Sequence, residues 1–197
     1  IDDGSVKYRV NFETGHKTGF YFDQGDNRCF IEKIVNGKTV LDAFCNSGGF
    51  GLHALQAGAK EVTFVDSSAE EITNVKNNYE LNGFTGASDY VVSDVFDYLE
   101  KCAAEKKFFD IVMIDPPAFA KNKKSLPQAK KGYEKLNRLA LSVTAQNGFV
   151  VTSSCSFHLV KEEFIDIITT AASKNRQPVQ LIHYNGASLD HPELPAM

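Results

Sequence analysis

The chain has 197 residues, 43% of them hydrophobic and 11% aromatic, with no Trp and a net charge of −4. That length and apolar content suit one globular domain with a real core; no run of 18 or more apolar residues marks a membrane span, and the acidic balance argues against general nucleic-acid binding. The four cysteines (Cys29, Cys45, Cys102, Cys155) lack metal-ligand spacing, so no metal is expected, and free thiols without a signal peptide point to the cytoplasm.

The chain does not begin with Met, so an upstream segment is expected. Val6 to Phe12 alternates as a strand does, Gly15 to Gly19 reads as a turn, and Phe20 to Gln24 as a short extended piece. Asp26 or Asn27 can cap a helix from Arg28 to about Val35, closed by Asn36-Gly37. Then strands and helices alternate. A strand up to Ala43 leads into a helix over 49–57. A strand over 61–65 leads into a helix over 69–81, capped by Ser67 or Ser68. Asp89 to Ser93 is a third strand, and Asp94 opens a helix to about 104. Phe108 to Ile114 is a fourth strand, followed after a loop by a helix over 128–145. Gly148 to Ser153 is a fifth strand, a helix over 160–174 comes next, and Val179 to Tyr184 is a sixth strand. Such alternation predicts an α/β fold, a mostly parallel sheet with right-handed crossovers flanked by helices.

The stretch Thr39 to Gly51 reads as strand, tight turn and helix start: Thr39-Val40-Leu41-Asp42-Ala43-Phe44-Cys45-Asn46-Ser47-Gly48-Gly49-Phe50-Gly51. Open parallel sheets bind ligands just past such a strand end, where free N–H groups of the next helix face the ligand. By itself the turn is equally that of any α/β protein. Asp66, 18 residues after Gly48 at the end of the next strand, is placed to accept from two ribose hydroxyls. The dinucleotide pattern G-x-G-x-x-G is absent, which moves the reading to S-adenosylmethionine. One segment departs from the acidic balance. Residues 119–138 hold Lys121, Lys123, Lys124, Lys130, Lys131, Lys135 and Arg138 against Glu134 alone, a net of +6. It is either a solvated face or a surface that steers phosphates.

Lys17 to Gln24, Asp26-Asn27-Arg28, Val40 to Gly51, Val65 to Ser68, Ser93 to Phe96, Asp115 to Lys121 and Ser154-Cys155-Ser156 together resemble a class I S-adenosylmethionine-dependent methyltransferase. More narrowly, they resemble the large-subunit ribosomal RNA cytosine-5 methyltransferases that carry an N-terminal PUA domain. The resemblance implies a Rossmann-like sheet, S-adenosylmethionine as cofactor, RNA (ribosomal RNA) as partner, no membrane, and a homodimer as an option for assembly. It divides the chain into an N-terminal strand and cofactor flap over 1–24 and a methyltransferase domain over 25–197. Three departures stand out. Gly25 occupies a position that is usually Arg, the PUA domain is missing, and the chain stops at His191-Pro192-Glu193-Leu194-Pro195-Ala196-Met197, before the family's last strand.

Within the resemblance, Asp66 and Ser67 hold the ribose, Asp94 accepts from the adenine amino group, and Val95 and Phe96 lie beside the ring. Phe44, Asn46, Gly48, Gly49 and Phe50 line the methionine end, with Asp42 and Asp115 nearby. Thr18, Asp23, Gln24 and Arg28 form a flap. Read alone, Asp94 is a plain helix cap, Asp42 an acceptor for loop amides, and the flap residues a polar turn. Pro116 and Pro117 remove two N–H donors and leave carbonyls and the Asp115 carboxylate to face a base. Phe119 either stacks on a flipped base or belongs to the core. Lys121, Lys123 and Lys124 are the nearest cations for RNA. Cys155 is the candidate nucleophile, because carbon 5 of cytosine becomes reactive only once a thiolate adds at carbon 6; the alternative is a small buried hydrophobe. Cys45, by the cofactor turn, is the weaker candidate. Two other readings remain open: amino-group methylation of a nucleic-acid base, which needs no cysteine, and a non-catalytic cofactor- or RNA-binding module.

Overall fold

The computed structural model describes residues 1–10, 20–120, 122–186 and 188. Five parallel strands form one sheet: β1 (Thr39–Ala43), β2 (Glu61–Asp66), β3 (Ala87–Val92), β4 (Phe109–Ile114) and β5 (Thr144–Thr152), in the order β3-β2-β1-β4-β5. Six α-helices connect and follow them: α1 (Gly25–Ile31), α2 (Gly49–Gln56), α3 (Ala69–Leu81), α4 (Val95–Glu105), α5 (Leu126–Ser142) and α6 (Lys161–Asn175).

The alternation of side chains along the central strands sorts the core into two layers. Val40, Ile111 and Met113 pack with Val62 and Phe64 against Ile31 of α1, Leu52 and Ala54 of α2, and Ile72 and Val75 of α3. Leu41, Ala43, Val112 and Ile114 point the other way, onto Val95 and Leu99 of α4 and Leu136 and Ala140 of α5. The N-terminal Val6, Tyr8 and Phe20 join the first layer, so this segment shares the core of the sheet.

Four expectations change. Val6 to Val10 makes no ladder; the bridge nearby pairs Asp2 with Lys7, and residues 11–19 lie outside the described residues. Phe22–Gln24 is a 3-10 turn rather than extended, and α1 starts at Gly25, three residues early. The helix expected over 128–145 ends at Ser142, because β5 begins at Thr144 and bulges: Phe109 faces Thr144, but Ile111 faces Phe149. Gly148 sits in that bulge, where a Cβ would lie 2.5 Å from the Asp110 carbonyl oxygen. The sixth strand does not form. Residues 177–186 carry no ladder, and Val179, Leu181, Ile182 and Tyr184 are exposed. A run of β-forming residues becomes a strand only when a neighbour takes its hydrogen bonds.

Candidate active site

The strand order reverses between β1 and β4, so the loops after β1, β2, β4 and β5 border one crevice at the carboxyl edge of the sheet. The loop after β1 is tightly wound, with Phe44 (φ 61), Asn46 (φ 47) and Gly48 (φ 88) all left-handed. Two carboxylates hold it. Asp66 accepts from Asn46 N–H (3.1 Å) at Oδ2 and from Ser68 N–H (2.9 Å) at Oδ1, tying the loop to the end of β2. Asp42, 2% exposed, accepts from Gly51 N–H at 2.7 Å. Burial pushes the Asp42 carboxyl up to about 8, helped by the charges of Asp115 and Asp66 and opposed by the Gly51 bond. Gly51 has to be glycine, since a Cβ there would lie 2.2 Å from the buried Phe64 ring.

Further round the rim, Asp94 caps α4: Oδ1 accepts from Phe96 N–H (2.8 Å) and Asp97 N–H (3.2 Å). The carboxylate is exposed and Oδ2 takes neither bond, so capping leaves acceptor capacity for a ligand. Ser67 is exposed while its neighbour Ser68 caps α3. Val95 is buried in the core, and Phe50 is 7% exposed. Neither side chain is open to solvent.

Opposite lies the end of β4. Pro116 is buried and Pro117 exposed. Cys155, exposed just past β5, donates its thiol to the Pro116 carbonyl (3.7 Å). The nucleophile candidate and the Asp115 loop therefore touch. Cys45 is 4% exposed, and burial with the charges of Asp42 and Asp66 holds its thiol well above the usual range, which makes it a poor nucleophile. Phe119 is half-buried and packs against the edge of the core. Its ring lies 4.6 Å from that of Tyr133 and 6.3 Å from that of Phe96, in the seam between α4 and α5.

The turn before α1 reaches across to the loop after β4. Gln24 Nε2 donates to Asp115 Oδ1 (3.3 Å), and Asn27 Nδ2 donates to Gln24 Oε1 (2.6 Å). Arg28 does not reach the surface. It is 4% exposed, donates to the Tyr21 carbonyl (2.8 Å), lies 4.7 Å from the Phe20 ring, and sits 3.8 Å from Asp3. Arg28 thus holds the flap in place from beneath. The Asp23 carbonyl accepts from both N–H and Oγ–H of Ser188 at 2.9 Å. Gly25 leaves the room Ser188 uses, since a Cβ there would stand 3.3 Å from its Oγ. The Tyr21 phenol is raised by burial and then by the charges of Cys155, Asp115, Glu71 and Asp23. Thr18 and Lys121 lie outside the described residues.

The basic stretch is less free than its composition suggests. Lys130 pairs with Glu163 (2.6 Å) and Lys135 with Glu100 (2.8 Å), and Lys130 and Lys131 line a groove with Glu134, Glu163 and Asp166. Lys123, Lys124 and Lys131 make no ion pair among the described residues.

The crevice offers carboxylates for hydroxyl and amino donors on one side and a cysteine beside a carboxylate on the other. That suits a nucleoside-bearing cofactor facing a nucleophilic centre. Sequence reasoning missed the bond from Gln24 to Asp115 and the placement of Tyr21. Asp115 lies 91 residues from Gln24, and Cys155 lies further still from Tyr21; no local pattern encodes such a meeting.

The family model described as conserved hypothetical protein 95 matches residues 26–180. Ribosomal RNA large subunit methyltransferase I of Photobacterium profundum is 40% identical over 193 residues, 98% of this chain and 49% of that protein. The protein of the same name from Aeromonas hydrophila subsp. hydrophila is 40% identical over 192 residues, 97% of this chain and 48% of its own length. The chain therefore spans about half the length of the curated relatives it matches. Among solved structures, SMU.776, crystallised as a complex with SAH, superposes with a TM-score of 0.76 and 31% identity over 84% of this chain and 44% of that one. The SAM-dependent methyltransferase of Agrobacterium tumefaciens shares the fold, with a TM-score of 0.73 and 19% identity over 86% of this chain and 56% of that one.

Proposed function

The chain belongs to the conserved hypothetical protein 95 family and has the class I S-adenosylmethionine-dependent methyltransferase fold, and from that premise we propose that it methylates large-subunit ribosomal RNA at carbon 5 of a cytosine through an adduct on Cys155. The observation that carries the reading is the contact of an exposed thiol with the Asp115-Pro116-Pro117 loop at the ends of two adjacent strands. The relatives named as ribosomal RNA methyltransferases support the substrate class, and the SAH bound by SMU.776 supports the cofactor.

In this reading Asp66 accepts from the ribose hydroxyls and Asp94 from the adenine amino group, while the wound loop from Phe44 to Phe50 lines the methionine end. Bound there, S-adenosylmethionine supplies an electrophilic methyl group on a sulfonium. Asp115 accepts from the 4-amino group of the cytosine, which fixes the base. The Cys155 thiolate adds at carbon 6, and the displaced π pair makes carbon 5 the nucleophile that takes the methyl group. Removal of the carbon-5 proton to a base then restores the double bond and expels the thiolate. Lys123 and Lys124, on the segment that follows the Asp115 loop, meet the RNA phosphates.

RNA carrying 5-fluorocytosine at the target tests the adduct, because fluorine replaces the hydrogen that must leave. With the full-length protein, the trapped species should survive a denaturing gel, vanish with Cys155→Ala and persist with Cys45→Ala. Carbon-5 methylation by Cys155→Ala at a near-normal rate removes the nucleophile. Methylation of an amino nitrogen that survives Cys155→Ala replaces this reading with the amino-group one. Cofactor binding without turnover leaves a binding module.

A further inference from the structure

We infer that Gln24 is a positioning residue for Asp115, and that α1 orients the carboxylate that holds the target base. The inference rests on the role given to Asp115 above. A carboxylate only accepts, so the Gln24 side chain must turn its Nε2 toward Asp115 Oδ1, at 3.3 Å. Its Oε1 then faces the other way, and Asn27 Nδ2 donates to it at 2.6 Å. The two bonds agree in direction, so the amide has one orientation. Gln24 itself cannot drift. Its N–H and the Arg28 guanidinium both donate to the Tyr21 carbonyl, and Ser188 clamps the Asp23 carbonyl next to it.

The consequence is chemical as well as geometric. A donor on Oδ1 favours the charged form of Asp115 and fixes its plane. A carboxylate has about four acceptor sites. The Gln24 bond takes one of these and decides which way the group faces. Asn27 acts one step further out, through Gln24. Tyr21, whose phenol is raised by burial and then by the charges of Cys155 and Asp115, stands at the start of the same turn. The α1 turn thereby links base capture to the strand ends that carry the reacting groups.

The test uses the full-length protein and compares Gln24→Ala, Gln24→Glu, Asn27→Ala and Asp115→Asn. For each, kcat/KM for methyl transfer to RNA is followed against pH, and S-adenosylmethionine affinity is measured by calorimetry. Gln24→Ala should lower kcat/KM about tenfold, roughly what one hydrogen bond to a charged group is worth. Its acid limb should move to higher pH, with cofactor affinity within about twofold of wild type. Gln24→Glu keeps the shape but sets a like charge against Asp115, so its acid limb should move further. Asn27→Ala should give a smaller loss in the same direction. If Asp115→Asn abolishes activity while both Gln24 variants match wild type in rate and pH profile, the inference is wrong and the role of Asp115 stands. If Asp115→Asn also matches wild type, that role fails and the inference falls with it. Loss of cofactor affinity in parallel with rate, at an unmoved acid limb, makes Gln24 a structural residue only.

Discussion

Asp42 and Asp66 stand at the ends of neighbouring strands, yet their surroundings make different groups of them. Asp66 is half-buried and bonds two backbone amides from different segments, so it acts as a strut that still faces the crevice. Asp42 lies beneath the loop and spends its oxygen on Gly51. With its carboxyl raised to about 8, mainly by burial, the folded state binds a proton that the unfolded chain releases near pH 4. Stability contributed at Asp42 is then largest below pH 4 and falls as pH rises toward 8. Asp42→Asn keeps an oxygen for Gly51 N–H and removes the titration. Thermal melts of the two proteins should therefore diverge between pH 4 and 8, with the variant gaining on wild type; parallel curves would show that Asp42 is charged throughout.

At the scale of elements, the N-terminal segment is fastened to α2 by buried ionisable groups rather than by a ladder. The His53 ring, 1% exposed, meets Glu32 at Nδ1 (2.6 Å) and Asp3 at Nε2 (2.8 Å). Arg28 of α1 approaches the same Asp3. Burial pushes the Asp3 carboxyl up, but the bonds from His53 and from Val6 N–H, with the His53 charge, outweigh it and bring it down to about 2. A depressed carboxyl stabilises the fold above the unfolded value near 4 and loses that contribution as pH falls toward 2. Urea midpoints should thus drop between pH 4 and 2 more steeply for wild type than for Asp3→Asn, which should be the weaker protein at pH 6 and closer to wild type at pH 2. Equal slopes would mean that the Asp3–His53 contact contributes nothing to stability, leaving the segment to Val6, Tyr8 and the bonds from Lys7 and Arg9 N–H to Asn82 and Asn78.

The whole molecule is acidic, with a net charge of −4, yet the helix after the Asp115 loop carries most of a basic stripe. Pairing with Glu163 and Glu100 takes Lys130 and Lys135 out of that stripe; among the described residues Arg138 at its far end and three lysines, Lys123, Lys124 and Lys131, make no ion pair. Reversing those three to Glu should weaken binding of the full-length protein to RNA and reduce the slope of log affinity against log salt by roughly 2, given about 0.7–0.9 per phosphate contact. Reversing Lys130 and Lys135 should cost less. An unchanged salt slope after the triple reversal would make the stripe a solvated face.

The sequence by itself determined the five strands, the helices between them and the crevice, because each rests on a local pattern: apolar alternation, a capping side chain such as Ser68 or Asp94, a Gly where Gly48 turns left-handed. It also singled out Cys155 and Asp115 as residues. What touches what was decided by the tertiary structure. Val179 to Tyr184 has the composition of a strand and is not one, since a ladder needs a partner that composition does not supply. Phe119, singled out by its place after Pro117, packs against Tyr133 because α5 crosses beside it. Gln24 and Asp115 are 91 residues apart in sequence, and only the meeting of the Phe22–Gln24 turn with the loop after β4 brings amide to carboxylate. Side-chain periodicity acts over a few residues, whereas hydrogen-bond partners across the crevice follow from how whole elements are stacked, and that order is fixed only when the sheet and its two helical layers close on one another.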